Sequence, residues 1–166
     1  MGKSVEETGM ISEDELKKAP GVPSMERLSK GAVAILECVQ EIPCDPCKNA
    51  CPKGAIIIDG DITNLPRLRA DICTGCGLCI PHCPGLAIFV VNMVHSKNNA
   101  CIMMPYEYLP LPKAGDEVSA LDREGNVVGR AKVIKVVKRR ENNKTPLIQI
   151  KVRKELGMAV RNIKMR

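Results

Sequence analysis

The sequence predicts an α+β domain made of two similar halves, followed by a small all-β, barrel-like domain. Three observations predict it. Cys44, Cys47, Cys51, Pro52, Ala55 and Ile56 return 32 residues later as Cys76, Cys79, Cys83, Pro84, Ala87 and Ile88. A Pro-rich stretch, "MPYEYLPLPKAGDEV", then breaks this pattern. Beyond it Ile148, Ile150 and Val152 alternate with Gln149, Lys151 and Arg153, the period-two signature of a strand with one buried face.

Taken in order, residues 1–30 form a polar N-terminal arm. "SEDE" at Ser12 to Glu15 fits a capping box that opens a short helix, stopped before Pro20. "PSMER" from Pro23 opens a second helical turn. Such an arm lies on a partner or on the main domain, or it stays partly disordered, and both readings are open. "GAVAILEC" then reads as a short buried strand. Within residues 31–100 each half comprises a cysteine run, a helical turn and an apolar strand, "AIIID" at 55–59 and "AIFVV" at 87–91. Neither half can bury a core alone, so the two must pack on one another.

A linker is expected at 101–113 and a basic β domain at 114–166. Two strands flank a turn at Glu124, Gly125 and Asn126, "ENNKTP" is a second turn, and "LIQIKVRK" is a further strand. Closure into a barrel is expected because it removes exposed strand edges.

Composition narrows the chemistry. Of the 166 residues 45% are hydrophobic, enough for a core, yet Phe89, Tyr106 and Tyr108 are the only aromatics. An aliphatic core buries less area per residue, so metal or covalent staples are expected. The N-terminus lacks the apolar region of a secretory signal, and no apolar run approaches the roughly 18 residues of a membrane span. The expected compartment is the cytoplasm. There nine cysteines read as metal ligands rather than disulfides, and the odd count agrees. Residues 105–166 hold 15 Lys and Arg against 7 Asp and Glu, whereas residues 1–104 carry a net charge of −2. The run Lys135 to Lys144 reads as a solvated strand end and turn, with partner docking as the second reading.

The second cysteine run, "CTGCGLCIPHCP", has the iron–sulfur spacing C-x2-C-x2-C-x3-C-P at Cys73, Cys76, Cys79, Cys83 and Pro84. Three thiolates from a tight loop can reach three iron corners of one cube, and Gly75 and Gly77 permit close backbone approach. In two-cluster proteins the fourth cysteine ligates the other cluster. Cys51 thus joins Cys73, Cys76 and Cys79, while Cys83 joins Cys44, Cys47 and a third ligand. That ligand is displaced: position 41 holds Glu41, and the nearest upstream cysteine is Cys38. Cys38 on a lengthened loop is the favoured ligand. A three-iron cluster, or Glu41 in the fourth position, is the alternative. Zinc accounts for C-x2-C pairs but not for triplets with a crossed fourth cysteine. Cys101 reads as an inert buried thiol, and His82 as a surface residue rather than a donor to sulfur.

Over residues 31–93 the chain resembles the dicluster bacterial-type ferredoxin family. The resemblance implies a pseudo-twofold α+β fold, two 4Fe-4S clusters and low-potential one-electron transfer. "IPCDPCKNACPKGAI" with "CTGCGLCIPHCPGLAIFVV" more loosely resembles the ferredoxin-like small subunits of multi-subunit FAD-dependent amino- and imino-acid dehydrogenases, of the proline dehydrogenase and sarcosine oxidase-like kind. That resemblance implies FAD on partner subunits of a hetero-oligomer and not on this chain. Cysteine-only clusters leave no open metal position or acid–base pair, so a non-catalytic subunit is expected. The arm and the basic β domain are then docking surfaces for permanent partners. Two other classes stay in view: a nucleic-acid module with structural clusters, which needs stacking aromatics on the basic barrel, and a redox sensor with labile clusters.

Overall fold

The computed structural model describes residues 5–138 and 145–166. A single antiparallel sheet runs through both segments that the sequence separates. Its seven strands, in spatial order, are β1 (Val33–Leu36), β4 (Ile88–Asn92), β5 (Asn99–Pro105), β8 (Leu147–Arg153), β7 (Val127–Val137), β6 (Glu117–Leu121) and β9 (Asn162–Lys164). A second, two-stranded sheet pairs β2 (Ile56–Ile57) with β3 (Arg67–Leu68).

The repeat appears as a nested pairing. One half is β1, the first cysteine run, helix α4 (Pro46–Asn49) and β2; the other is β3, the second run, a 3-10 turn (Ile80–His82) and β4. The outer strands β1 and β4 pair with each other, and so do the inner strands β2 and β3. The observed strands 56–57 and 88–92 replace the expected 55–59 and 87–91.

Two expectations are corrected. The basic segment is not a closed barrel, because β1 and β9 are free edges of one open sheet. The start of the expected linker, residues 101–105, belongs to β5, which is hydrogen-bonded to β4 on one side and β8 on the other. The physical reason is the same for both. β5 covers the edge of β8 and joins it to the cysteine-rich halves, so closure is not needed to protect that edge.

The apolar face of the sheet makes the core. Val91, Ile102, Ile150 and Val133 lie in register across four strands, each no more than 1% exposed. The sheet curls around this face, since Phe89 of β4 meets Arg161 at the entry to β9, with the guanidinium 4.9 Å from the ring centroid. As expected, Ile148, Ile150 and Val152 of β8 are buried, while Gln149, Lys151 and Arg153 are not. The turn between β6 and β7 is held by Asp122, whose carboxylate accepts from the backbone N–H groups of Glu124 and Asn126. Residues 139–144, most of the basic run and the "ENNKTP" turn, lie outside the described residues.

The arm packs on the cysteine-rich halves. Helix α2 (Glu13–Lys18) carries the predicted capping box: Ser12 Oγ accepts from Glu15 N–H, and the Glu15 carboxylate accepts from Ser12 N–H at 2.8 Å. After it, Leu36 N–H donates to the Gly21 carbonyl and Leu68 N–H to that of Pro20. Gly21 tolerates no side chain, because a Cβ there would lie 2.5 Å from that of Leu36. Among the described residues no helix is long and apolar enough to cross a membrane.

Candidate metal centres

The eight cysteines of the two runs gather into two groups around two hollows. Cys38, Cys44, Cys47 and Cys83 line one, walled by Leu36, Pro66 and Ile88. Cys51, Cys73, Cys76 and Cys79 line the other, walled by Ala34, Ile56 and Leu68. Each hollow therefore takes three cysteines from one run and the Cys-Pro cysteine from the opposite run. Nested strand pairing makes the exchange: α4 carries the first run toward β2, and Cys51 at its end lies beside the second run.

Cys38 borders the first hollow directly, on the loop that leaves β1. Glu41 is exposed and does not border it. The three-residue displacement is thus absorbed by loop 37–43, which returns to the hollow at Ile42 and Cys44.

Backbone N–H groups point at the sulfurs. Ala55 N–H donates to Cys51 Sγ at 3.2 Å and Ala87 N–H to Cys83 Sγ at 3.4 Å, equivalent contacts in the two halves. Ala34 N–H donates to Cys73 Sγ at 3.4 Å. Such bonds orient ligands and stabilise negative charge on sulfur.

Burial and neighbouring sulfurs favour the protonated form of four of these thiols. The Cys79 thiol is pushed up to about 12 by burial and then by Cys73, Cys76 and Cys51. That of Cys47 is pushed up to about 11 by burial, with Cys83 the next cause. Cys38 and Cys44 are raised by burial and by Cys83. A cationic iron–sulfur core reverses this balance, so loading releases protons. Among the described residues no three His, Cys, Asp or Glu side chains close tightly enough around one point to hold a single ion. A cluster has its own width, and its ligands stand farther apart than those of one zinc.

The second loop is shaped by contacts with the protein itself. Gly75 has φ of +66°, and a Cβ there would sit 2.7 Å from that of Ala32. Gly77, at φ +78°, would place a Cβ 2.6 Å from the Met103 sulfur. Replacing Gly75 by alanine combines left-handed strain with overpacking, each costing about 1–3 kcal/mol. The expected result is a thermal midpoint lowered by several degrees and a lower bound-iron content, read by calorimetry and iron analysis.

Several supporting residues carry no signal in the spacing. Arg27, in helix α3 (Met25–Leu28) of the arm, donates to the carbonyls of Ala70 and Cys73 at 2.6 and 2.8 Å and to those of Gly31 and Ala32. It pins the start of the second run. Glu37, next to Cys38, accepts from Arg123 Nε at 2.9 Å and Arg161 Nε at 2.7 Å, and these partners lie 86 and 124 residues away. Burial raises the Glu37 carboxyl, but the Arg123 hydrogen bond and the two guanidinium charges outweigh it and leave the pKa lowered. Arg161 is pushed down to about 10, because burial outweighs its attraction to Glu37. Both groups stay charged at neutral pH.

The remaining candidates take the simpler roles. His82 is half-buried, and its Nδ1 donates to the Leu78 carbonyl at 2.9 Å rather than to a sulfur. Cys101 is buried in β5, its thiol raised by burial.

Residues 66–89, the second run and its flanking strands, match the model of the 4Fe-4S binding domain. Three relatives are similar over part of the chain. "Uncharacterized ferredoxin" of Methanocaldococcus jannaschii is 31% identical over 91 residues, covering 54% of this chain and 49% of the relative. "Protein NrfC homolog" of Haemophilus influenzae is 30% identical over 95 residues, 48% of this chain and 42% of the relative. "Protein Pixie" of Drosophila melanogaster is 27% identical over 105 residues, 55% of this chain and 16% of the relative. The chain thus spans less than half the length of these curated relatives. No solved structure matches it significantly. Residues 66–89 thus carry the match to a 4Fe-4S binding domain, and one of the similar relatives is named a ferredoxin.

Proposed function

We propose that this chain is a non-catalytic electron-transfer subunit with two 4Fe-4S clusters, relaying single electrons between flavin centres or a carrier within a multi-subunit FAD-dependent dehydrogenase. The observation that carries the reading is the crossed distribution of eight cysteines between two hollows. Cys38, Cys44, Cys47 and Cys83 would hold one cluster, and Cys51, Cys73, Cys76 and Cys79 the other. A bound cluster supplies a site that accepts and releases one electron with little rearrangement. The residues of this chain set the conditions. Ala34, Ala55 and Ala87 N–H groups offset charge on three sulfurs. Leu36, Ile56, Leu68 and Ile88 line the hollows with apolar side chains, the kind of surface that limits solvent access to a bound cluster.

The partner part of the proposal rests on the arm, the appended strands and the looser resemblance to dehydrogenase small subunits. FAD then belongs to the partners. A nucleic-acid module is less well supported, because Tyr106 and Phe89 are buried and only Tyr108 is an exposed aromatic. Anaerobically purified protein is expected to contain about eight iron and eight sulfide, and its reduced form to show EPR signals from two interacting paramagnets. Stoichiometric zinc without acid-labile sulfide would refute the reading.

A further inference from the structure

The sheet has two faces, and the second has a distinct division of labour. On it Val90, Met103, Gln149 and Lys135 lie in register across β4, β5, β8 and β7. Over β1, β4 and β5 this face is covered by the cysteine loops: Ala34 and Leu36 border the two hollows, and Gly77 presses on Met103. Past β5 the cover stops. There the same face presents Lys151 and Arg153 of β8, Arg130, Lys132 and Lys135 of β7, and Lys164 of β9, against Glu117 as its one acidic strand residue.

Few of these charges are spent in ion pairs among the described residues, although Glu117 of β6 stands opposite Lys132. Lys132 stands directly opposite Lys151, and like charges in that position oppose strand pairing. Among the described residues Lys132, Lys135 and Lys151 have no ion-pair partner; of the strip only Arg153 has one, Glu155. The strip also meets the second hollow. Cys76 is exposed at its rim, and a groove of about 420 Å³ runs from Cys76 and Gly77 across Met103 and Gln149 to Lys135. A strip of cations, most of them without an ion-pair partner among the described residues, therefore borders Cys76, the one exposed cysteine of the cluster loops.

We infer that this lysine face is the docking surface for an acidic electron-transfer protein, which exchanges electrons with the second cluster at its Cys76 edge. The inference rests on the electron-transfer reading above. Charge complementarity selects the occupant: a partner with carboxylates around its own redox centre is attracted to the strip and oriented with that centre toward Cys76. In the exchange the partner loses one electron and the cluster gains it, or the reverse.

The test uses the intact, cluster-loaded protein and a reduced acidic flavodoxin as the probe, with cluster reduction followed by stopped-flow absorbance. Iron and sulfide are measured first. Lys135→Glu is expected to slow the second-order rate about tenfold at low ionic strength. Lys18→Glu, the same charge change at the exposed end of helix α2 in the arm, which packs on β1 and β3 rather than on the strip, should alter it less than twofold. Both differences should shrink near about 0.5 M salt, where screening shortens the reach of surface charge. Reduction by dithionite, a small reductant, should be equal in all three proteins. Loaded clusters reduced at equal rates in both variants would overturn the docking face and leave the electron-transfer reading standing. Tight binding of duplex DNA to the strip at physiological salt, with no effect of Lys135→Glu on flavodoxin, would overturn it in favour of a nucleic-acid partner. Absence of iron and sulfide would overturn the cluster reading itself.

Discussion

On the proposed two-cluster reading, replacing Cys38 by alanine is expected to leave the first cluster incomplete while the second stays whole. Cys38 borders the first hollow with Cys44, Cys47 and Cys83, and Glu41 faces solvent instead. With the Cys38 thiolate gone, one iron corner has no protein ligand. The variant should carry a three-iron cluster, seen as a new EPR signal in the oxidised state, or lose that cluster and fall from about eight irons to about four. Cys101→Ala is the control. Its thiol is buried in β5 away from both hollows, so both clusters should persist. Two unaltered cubes in the Cys38→Ala protein would show that another group fills the corner.

The second large effect is expected at Glu37. This carboxylate is 6% exposed and neutralises two guanidinium groups, Arg123 at 19% and Arg161 at 4%. Arg161 is already costly, since its Nη2 finds no partner among the described residues. Glu37→Leu would leave both cations uncompensated, and breaking a buried pair by removing one partner costs about 3–5 kcal/mol. For a chain of this size that is a fall of roughly 6–20 °C in thermal midpoint. The double variant Glu37→Leu, Arg161→Met should recover much of the loss, because the burial penalty goes with the charge. An unchanged midpoint in Glu37→Leu would show that the network does not hold the sheet's curl.

The pH dependence follows from the same group. The Glu37 carboxyl is lowered in the folded protein, so its contribution is present above the unfolded value of 4.5. It is lost as pH falls through the lower folded value. Wild-type protein should therefore lose stability more steeply below about pH 4.5 than Glu37→Leu does. Loss of the first cluster on acidification should accompany it, because Glu37 anchors the loop that carries Cys38.

The sequence by itself determined the parts whose physics is local. The cysteine spacing specifies ligand runs because three thiolates must come from one tight loop, and the 32-residue repeat fixes two such loops. Ser12 with Glu15 closes a capping box within four residues, and β8 shows its buried face as simple alternation. That Cys38 can reach the hollow lined by Cys44 and Cys47 was also within the sequence's reach, since a short loop can span three extra residues.

Only the tertiary structure decided how these parts join. β5 was hidden because residues 101–105 sit against prolines and tyrosines that read as a break, and its partner β8 begins more than forty residues later. Periodicity tells which face of a strand is apolar but not which strand lies beside it. The open sheet in place of a barrel, the Glu37–Arg123–Arg161 network and the lysine strip beside Cys76 all depend on that choice of neighbour. Each unites residues far apart in the chain, and the free energy that selects them is burial summed over the whole core.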